Sequence, residues 1–143
     1  MESNLINEVK LGIVKGTPLE DAAQHNFRGE TSEVGLYLAM ARQAFREGYP
    51  EIGEALVRIA NEEAMHAAGY AELAGLISES TEENLKKMLA GEEMANRSKK
   101  ESATKAKELG IDPAHDYFDE TSRDEARHAR ALRGLLQRYF PAR

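Results

Sequence analysis

The chain has no cysteine among its 143 residues. Disulfides, zinc–thiolate sites and iron–sulfur clusters built from its own side chains are therefore excluded. Proline is scarce, with four residues, and runs of Val, Ile and Thr are nearly absent, so little of the chain suits β-strands. Positive charge is in deficit. Nineteen Lys and Arg stand against 25 Asp and Glu, a net charge of −6, which argues against nucleic acid or an anionic membrane as partner. Long apolar runs are missing, and Met1-Glu2-Ser3-Asn4 does not open a basic-then-apolar leader. No membrane span or export signal is expected, and a cytoplasmic protein is the default. What is present, 41% hydrophobic and 31% charged residues, suits amphipathic helices in one domain spanning 1–143, with a core of ordinary size.

The chain also repeats itself. Glu63-Ala64-Met65-His66 and Glu125-Ala126-Arg127-His128 are two copies of Glu-x-x-His, and the 62-residue offset between them runs through much of the sequence. It pairs Glu20 with Glu82, Gly29 with Gly91, Glu30 with Glu92, Ala41 with Ala103, Ala44 with Ala106 and Gly48 with Gly110. A duplicated helical hairpin is expected, about 18–77 and 81–139. Glu and His three apart on a helix share one face, so both can reach one ion. Two such helices, with one Glu from each of two others, form the ligand set of a dinuclear carboxylate centre in an all-α four-helix bundle.

Local signals place the elements. Leu5, Ile6, Val9, Ile13 and Val14 suggest a short N-terminal helix. Thr17 as N-cap, Pro18 in first position and Glu20 in third open the first long helix, which is expected to run to about Glu47 and stop at Gly48. A second helix covers about 50–77, and a polar connection, 78–81, leads to a third that stops at Gly110. Asp112 as N-cap and Pro113 open a fourth, ending near Tyr139 before Pro141. The stripes carrying the ligands are Glu30, Glu33, Tyr37, Met40 and Ala44 on the first helix and Leu56, Ile59, Glu63, His66 and Tyr70 on the second. On the third they are Leu85, Leu89, Glu92, Ala95, Ala103 and Ala106. On the fourth they are Phe118, Glu125, His128, Leu132, Leu135 and Tyr139. The third helix is the most polar, so metal ligation and close packing of small residues are expected to help hold it.

Glu30, Glu63, Glu92 and Glu125 each interrupt an apolar stripe, and burying four carboxylates without compensation costs several kcal/mol for each ion. Two divalent cations match the four negative charges with both His neutral. Carboxylate and imidazole without thiolate suit iron, manganese or zinc, with iron preferred. Glu33 breaks the symmetry, because its counterpart is Ala95. It reads either as an exposed helix position or as a fifth carboxylate ligand. His25 and His115 have no counterparts and read as surface or packing residues. Glu62 and Asp124 are candidate partners of the ligands. Tyr37, Tyr70 and Tyr117 are candidates for hydrogen bonds near the centre or for amphipathic packing.

Phe27-Arg28-Gly29-Glu30, Gly48-Tyr49-Pro50, Glu63-x-x-His66-Ala67, Leu89-Ala90-Gly91-Glu92 and Glu125-x-x-His128-Ala129 resemble the di-iron domain of rubrerythrins, within the ferritin-like superfamily. The resemblance covers nearly the whole chain after residue 20. It implies a ferritin-like four-helix bundle, two bound iron ions and the reduction of hydrogen peroxide to water. On this reading Glu63 and Glu125 bridge the metals, and Glu30, His66, Glu92 and His128 bind terminally. Glu33, a further ligand that would change with redox state, and Tyr37 are the candidate catalytic residues beside them. Many rubrerythrins carry a rubredoxin domain whose four cysteines hold one iron. This chain reaches Arg143 without cysteine, so an external donor is expected, such as a rubredoxin or a flavin reductase. The family's extra Glu lies on the third helix, whereas here Glu33 lies on the first.

Ferritin-like bundles run the second and third helices parallel, and the connection between them is too short to cross the bundle. Either two chains exchange hairpins in a homodimer, which is preferred, or the two helices run antiparallel. Two other functions compete with the peroxidase: iron oxidation and handling by a ferritin-like protein, and a non-catalytic bundle stabilised by metal.

Overall fold

The computed structural model describes residues 10–141, which form four α-helices and, among those residues, no strand. They are α1 (Glu20–Arg46), α2 (Pro50–Ala74), α3 (Thr81–Glu108) and α4 (Asp112–Tyr139). α1 packs on α2 and α3 packs on α4. The chain divides between Glu79 and Ser80 into two compact units, each holding one helical hairpin.

Left-handed glycines end three of the helices. After α1, Gly48 takes φ 85° and the Tyr49 N–H reaches back to the Ala44 carbonyl at 2.9 Å. Gly110 repeats this after α3, with φ 70° and Ile111 N–H donating to Ala106 O at 2.9 Å. Only glycine enters this region without a Cβ penalty, and the backward bond satisfies a carbonyl the helix leaves open. A third such stop was not expected. Gly75, φ 63°, ends α2 at Ala74, three residues before the boundary read from the sequence, and Leu76 N–H donates to Ala71 O at 2.9 Å.

The helix starts differ from expectation in two places. α1 begins at Glu20 rather than near 18, although Thr17 and Glu20 act at its entrance. The Thr17 hydroxyl oxygen accepts from Leu19 N–H at 3.2 Å, and the Glu20 carboxylate accepts from Gly16 N–H at 2.7 Å. The residues between form a tight turn, closed by Glu20 N–H to Thr17 O at 3.1 Å. At α4 the N-cap is Ile111 and no side chain caps it. Asp112 lies inside the helix, and its carboxylate accepts from Lys107 Nζ at 2.9 Å instead. α3 is capped by Ser80, whose Oγ accepts from Glu83 N–H at 3.3 Å. Residues 11–16, including Ile13 and Val14, form turns rather than a helix. Leu5, Ile6 and Val9 lie outside the described residues.

Small residues make the packing seams. On α2 the buried positions are Gly53, Ala60, Ala67 and Ala74, one every seven residues, which keeps a seam on one side of a helix over its whole length. Ala23, Ala41 and Ala44 face them from α1. In the second hairpin the buried residues are Ala103 and Ala106 on α3 and Asp119, Ser122 and Ala129 on α4. No large side chain is fully buried within either hairpin. Short side chains allow close axial approach, and glycine allows more. A Cβ on Gly53 would lie 2.5 Å from the Phe45 ring. Much of the larger apolar set read as stripes is at least one-third exposed on the hairpins, including Met40, Ile59, Phe118, Leu135 and Tyr139.

Candidate metal centre

Each hairpin gathers one ligand triad. In the first, α1 supplies Glu30 while α2 supplies Glu63 and His66. In the second, α3 supplies Glu92 while α4 supplies Glu125 and His128. Within each triad one donor atom per residue lies within 4.8 Å of the others, so each could hold a metal ion. The repeat extends to the distances. His66 Nδ1 is 3.1 Å from Glu63 Oε2 and 3.6 Å from Glu30 Oε2. His128 Nδ1 is 3.1 Å from Glu125 Oε2 and 3.5 Å from Glu92 Oε2. The carboxylates are mostly buried and the two imidazoles about half exposed.

The first triad is electrostatically unsettled without a cation. Glu30 Oε2 is buried and has no hydrogen-bond partner, the condition a metal ion relieves. The Glu30 carboxyl is raised above its ordinary value, chiefly by its hydrogen bond with Glu63, then by burial and by the negative charges of Glu63 and Glu33. The Glu63 carboxyl is lowered by the same hydrogen bond and by one with His66. His66 is raised, mainly because Glu63 accepts its proton in a hydrogen bond. Two carboxylates this close raise the cost of ionising both, and a cation between them would lower it. Hard oxygen donors with imidazole, and no thiolate, fit iron, manganese or zinc.

The second triad meets its charge differently. The Lys99 ammonium of α3 forms an ion pair with Glu125, and both side chains are largely covered. Lys99 was missed in the sequence because the third stripe, as read, steps from Ala95 to Ala103. Its signal was nonetheless there. Lys99 lies seven residues after Glu92, as Tyr37 lies seven after Glu30. Beneath the triad, Asn96 Nδ2 donates to Ser122 O at 2.6 Å. Farther along the seam Asp119 is held by Lys100 and Arg123, each at 2.6 Å.

Matched against known families, the Rubrerythrin pattern fits residues 22–82 and again 83–143. The chain belongs to the rubrerythrin family. Each match contains one triad, so the family pattern falls on the two halves of the duplication. An uncharacterized protein of Methanocaldococcus jannaschii is 68% identical over 140 residues, covering 98% of this chain and 99% of that protein. Reverse rubrerythrin-1 of Clostridium acetobutylicum is 52% identical over 137 residues, covering 94% of this chain and 76% of that longer protein. Among the described residues no helix is long and apolar enough to cross a membrane.

Glu33 is exposed and stands outside the triad, although its charge is felt at Glu30. Tyr37 and Tyr70 are half-buried. Tyr70 lines an open cleft on the first hairpin with Glu30, Met65, His66, Gly69 and Leu73. Tyr117 is 62% exposed. Asp124 is paired with Arg127 at 2.8 Å rather than with a ligand histidine, and Glu62 is exposed. His25 is exposed, and His115 is engaged with Asp116 at 2.9 Å.

Proposed function

We propose that the chain is a di-iron peroxidase that reduces hydrogen peroxide to water with electrons from an external redox protein. The observation that supports this best is the pair of matching Glu and Glu-x-x-His triads, one within each stretch that matches the family. Each triad offers two carboxylates and one imidazole, so two triads supply six ligands and four negative charges. Glu30, Glu63, His66, Glu92, Glu125 and His128 would hold the two ions. Iron, when bound, supplies two electrons and Lewis acidity to a peroxide. The reaction consumes one peroxide, two electrons and two protons and yields two waters. Glu33 and the Tyr37 hydroxyl, on the α1 face that carries Glu30, are the groups assigned to hold and deliver protons there. The cleft beside His66 admits the oxidant.

A rubredoxin or a flavin reductase is the class of donor that fits, and the protein is assigned to the cytoplasm. We further propose a homodimer, on an argument from reach. Glu63 lies eleven residues before the end of α2 and Glu92 eleven after the start of α3, about 16 Å of helix in each case. If α2 and α3 ran parallel with their ligands level, the connection would have to recover on the order of 30 Å. The seven Cα steps from Ala74 to Thr81 reach at most about 25 Å when fully extended. Exchange of hairpins between two copies removes the difficulty.

The test is a single-turnover experiment on anaerobic, iron-loaded protein. One equivalent of peroxide is expected to reoxidise the centre rapidly while dissolved oxygen does so slowly. Faster reaction with oxygen than with peroxide would reassign the protein to iron oxidation. Failure to react with either would leave a metal-stabilised bundle.

A further inference from the structure

The two triads contain the same donors at the same spacing, yet their neighbours differ. Seven residues are two turns of helix and return to the same face. Seven after Glu30 stands Tyr37, and seven after Glu92 stands Lys99, whose ammonium is paired with Glu125. Three residues after Glu30 stands Glu33, close enough for its charge to be felt at Glu30, whereas three after Glu92 stands Ala95. Among the described residues no lysine or arginine pairs with Glu30 or Glu63. The first triad therefore sits among three carboxylates. The second sits among two carboxylates and one ammonium. The immediate surroundings differ by two unit charges on otherwise repeated scaffolds.

We propose that these differences make the triads unequal metal sites that load in a set order. Glu30, Glu63 and His66 take the first cation. Glu92, Glu125 and His128 take the second, after the Lys99 ammonium, which holds the place of a positive charge on Glu125, has swung off that carboxylate. The proposal rests on the dinuclear reading above and adds the order and the residue that sets it. Even with the screening of bulk water, a unit charge about 6 Å from a divalent ion changes its affinity about tenfold, and partial burial enlarges the effect.

Zinc alone is a suitable probe because it is diamagnetic and undergoes no redox change. Metal-depleted full-length protein is titrated with Zn(II) while the imidazole nitrogen resonances of His66 and His128 are followed by NMR. The expected result is that His66 shifts during the first equivalent and His128 during the second. In Lys99→Tyr, which gives the second triad the first one's neighbour, the second step should strengthen about tenfold and the two steps draw together. Lys99→Gln serves the same purpose should the tyrosine variant fail to fold. Parallel shifts in the unaltered protein, or His128 shifting first, would overturn the order. So would an unchanged gap between the steps in a folded Lys99 variant. Two zinc ions of equal affinity would remove this proposal alone, whereas fewer than two per chain would remove the dinuclear reading and this proposal together.

Discussion

Removing the metal is expected to destabilise the protein by more than any single side-chain change. Within each hairpin the seam is made by alanine, glycine and serine rather than by large apolar side chains, so little hydrophobic burial inside a hairpin offsets its own cluster of carboxylates. An ion that binds only the folded state at a hundred times its Kd contributes about 2.7 kcal/mol, so two contribute about 5 kcal/mol. A 143-residue chain unfolds with an entropy of about 0.3 kcal/mol/K near its midpoint, so the expected fall in Tm on metal removal is about 18 °C. The assay is thermal unfolding followed by circular dichroism on metal-depleted and reloaded protein at matched concentration. Glu63→Gln serves as the control, since it removes one ligand charge and leaves the fold's seams untouched. That variant should keep at most about half of the metal-dependent gain, the share of the intact second triad. A loaded protein melting within a degree or two of the depleted one would refute the reasoning, as would a Glu63→Gln variant that kept the full shift.

Three further outcomes follow from the geometry. The raised pKa of His66 means that the stability it contributes to the metal-free protein is fully present below its ordinary 6.5 and is lost as pH rises through the folded value. Metal must displace that proton, so the gain in Tm on loading should shrink as pH falls through the same window, and a pH-independent gain would contradict this. Asp119 behaves oppositely. Its pKa is lowered by the hydrogen bond from Lys100, with Arg123 assisting, so its contribution is present above its ordinary 3.8 and disappears as pH falls through the lowered value. Urea titrations across that range should show Asp119→Asn to be less acid-sensitive than the parent. Gly75→Ala and Gly110→Ala each force alanine into left-handed backbone at a cost of about 1–2 kcal/mol. Gly75→Ala should cost more, because its Cβ would lie 2.9 Å from Gly12 Cα while Gly110 faces open space. Equal costs in urea denaturation would mean that the turn at 11–16 is not held against the end of α2.

The triads were legible in the sequence because a duplication writes the same ligand types twice in register, and the i to i+3 spacing of Glu and His needs only helix geometry to bring them together. The stops at Gly48 and Gly110 were legible for the same reason. Gly75 was less visible, since the fold ends α4 at Tyr139 without a counterpart glycine. The stripes read from the sequence are those that carry the ligands, and they include the large side chains Ile59, Phe118 and Leu135. The contacts within a hairpin use smaller residues, on α2 Gly53, Ala60, Ala67 and Ala74. Their heptad spacing was present, but alanine carries a weak hydrophobic signal in any helix. Asp112 illustrates a different limit. Its residue type suits an N-cap, yet its carboxylate pairs with Lys107 across the Gly110 turn, a second local partner that residue type alone does not reveal. Lys99 was hidden because a lysine on a polar helix reads as solvated until its position relative to Glu92 is compared with that of Tyr37 to Glu30.

Iron counting tests the central claim most directly. Metal-depleted protein is loaded anaerobically with Fe(II), desalted and assayed for iron beside a Glu63→Gln/Glu125→Gln double variant of unchanged helix content. Two tightly held irons per chain, and essentially none on the double variant, are the predicted outcome. One iron or fewer on the parent, or two retained by the double variant, would contradict it.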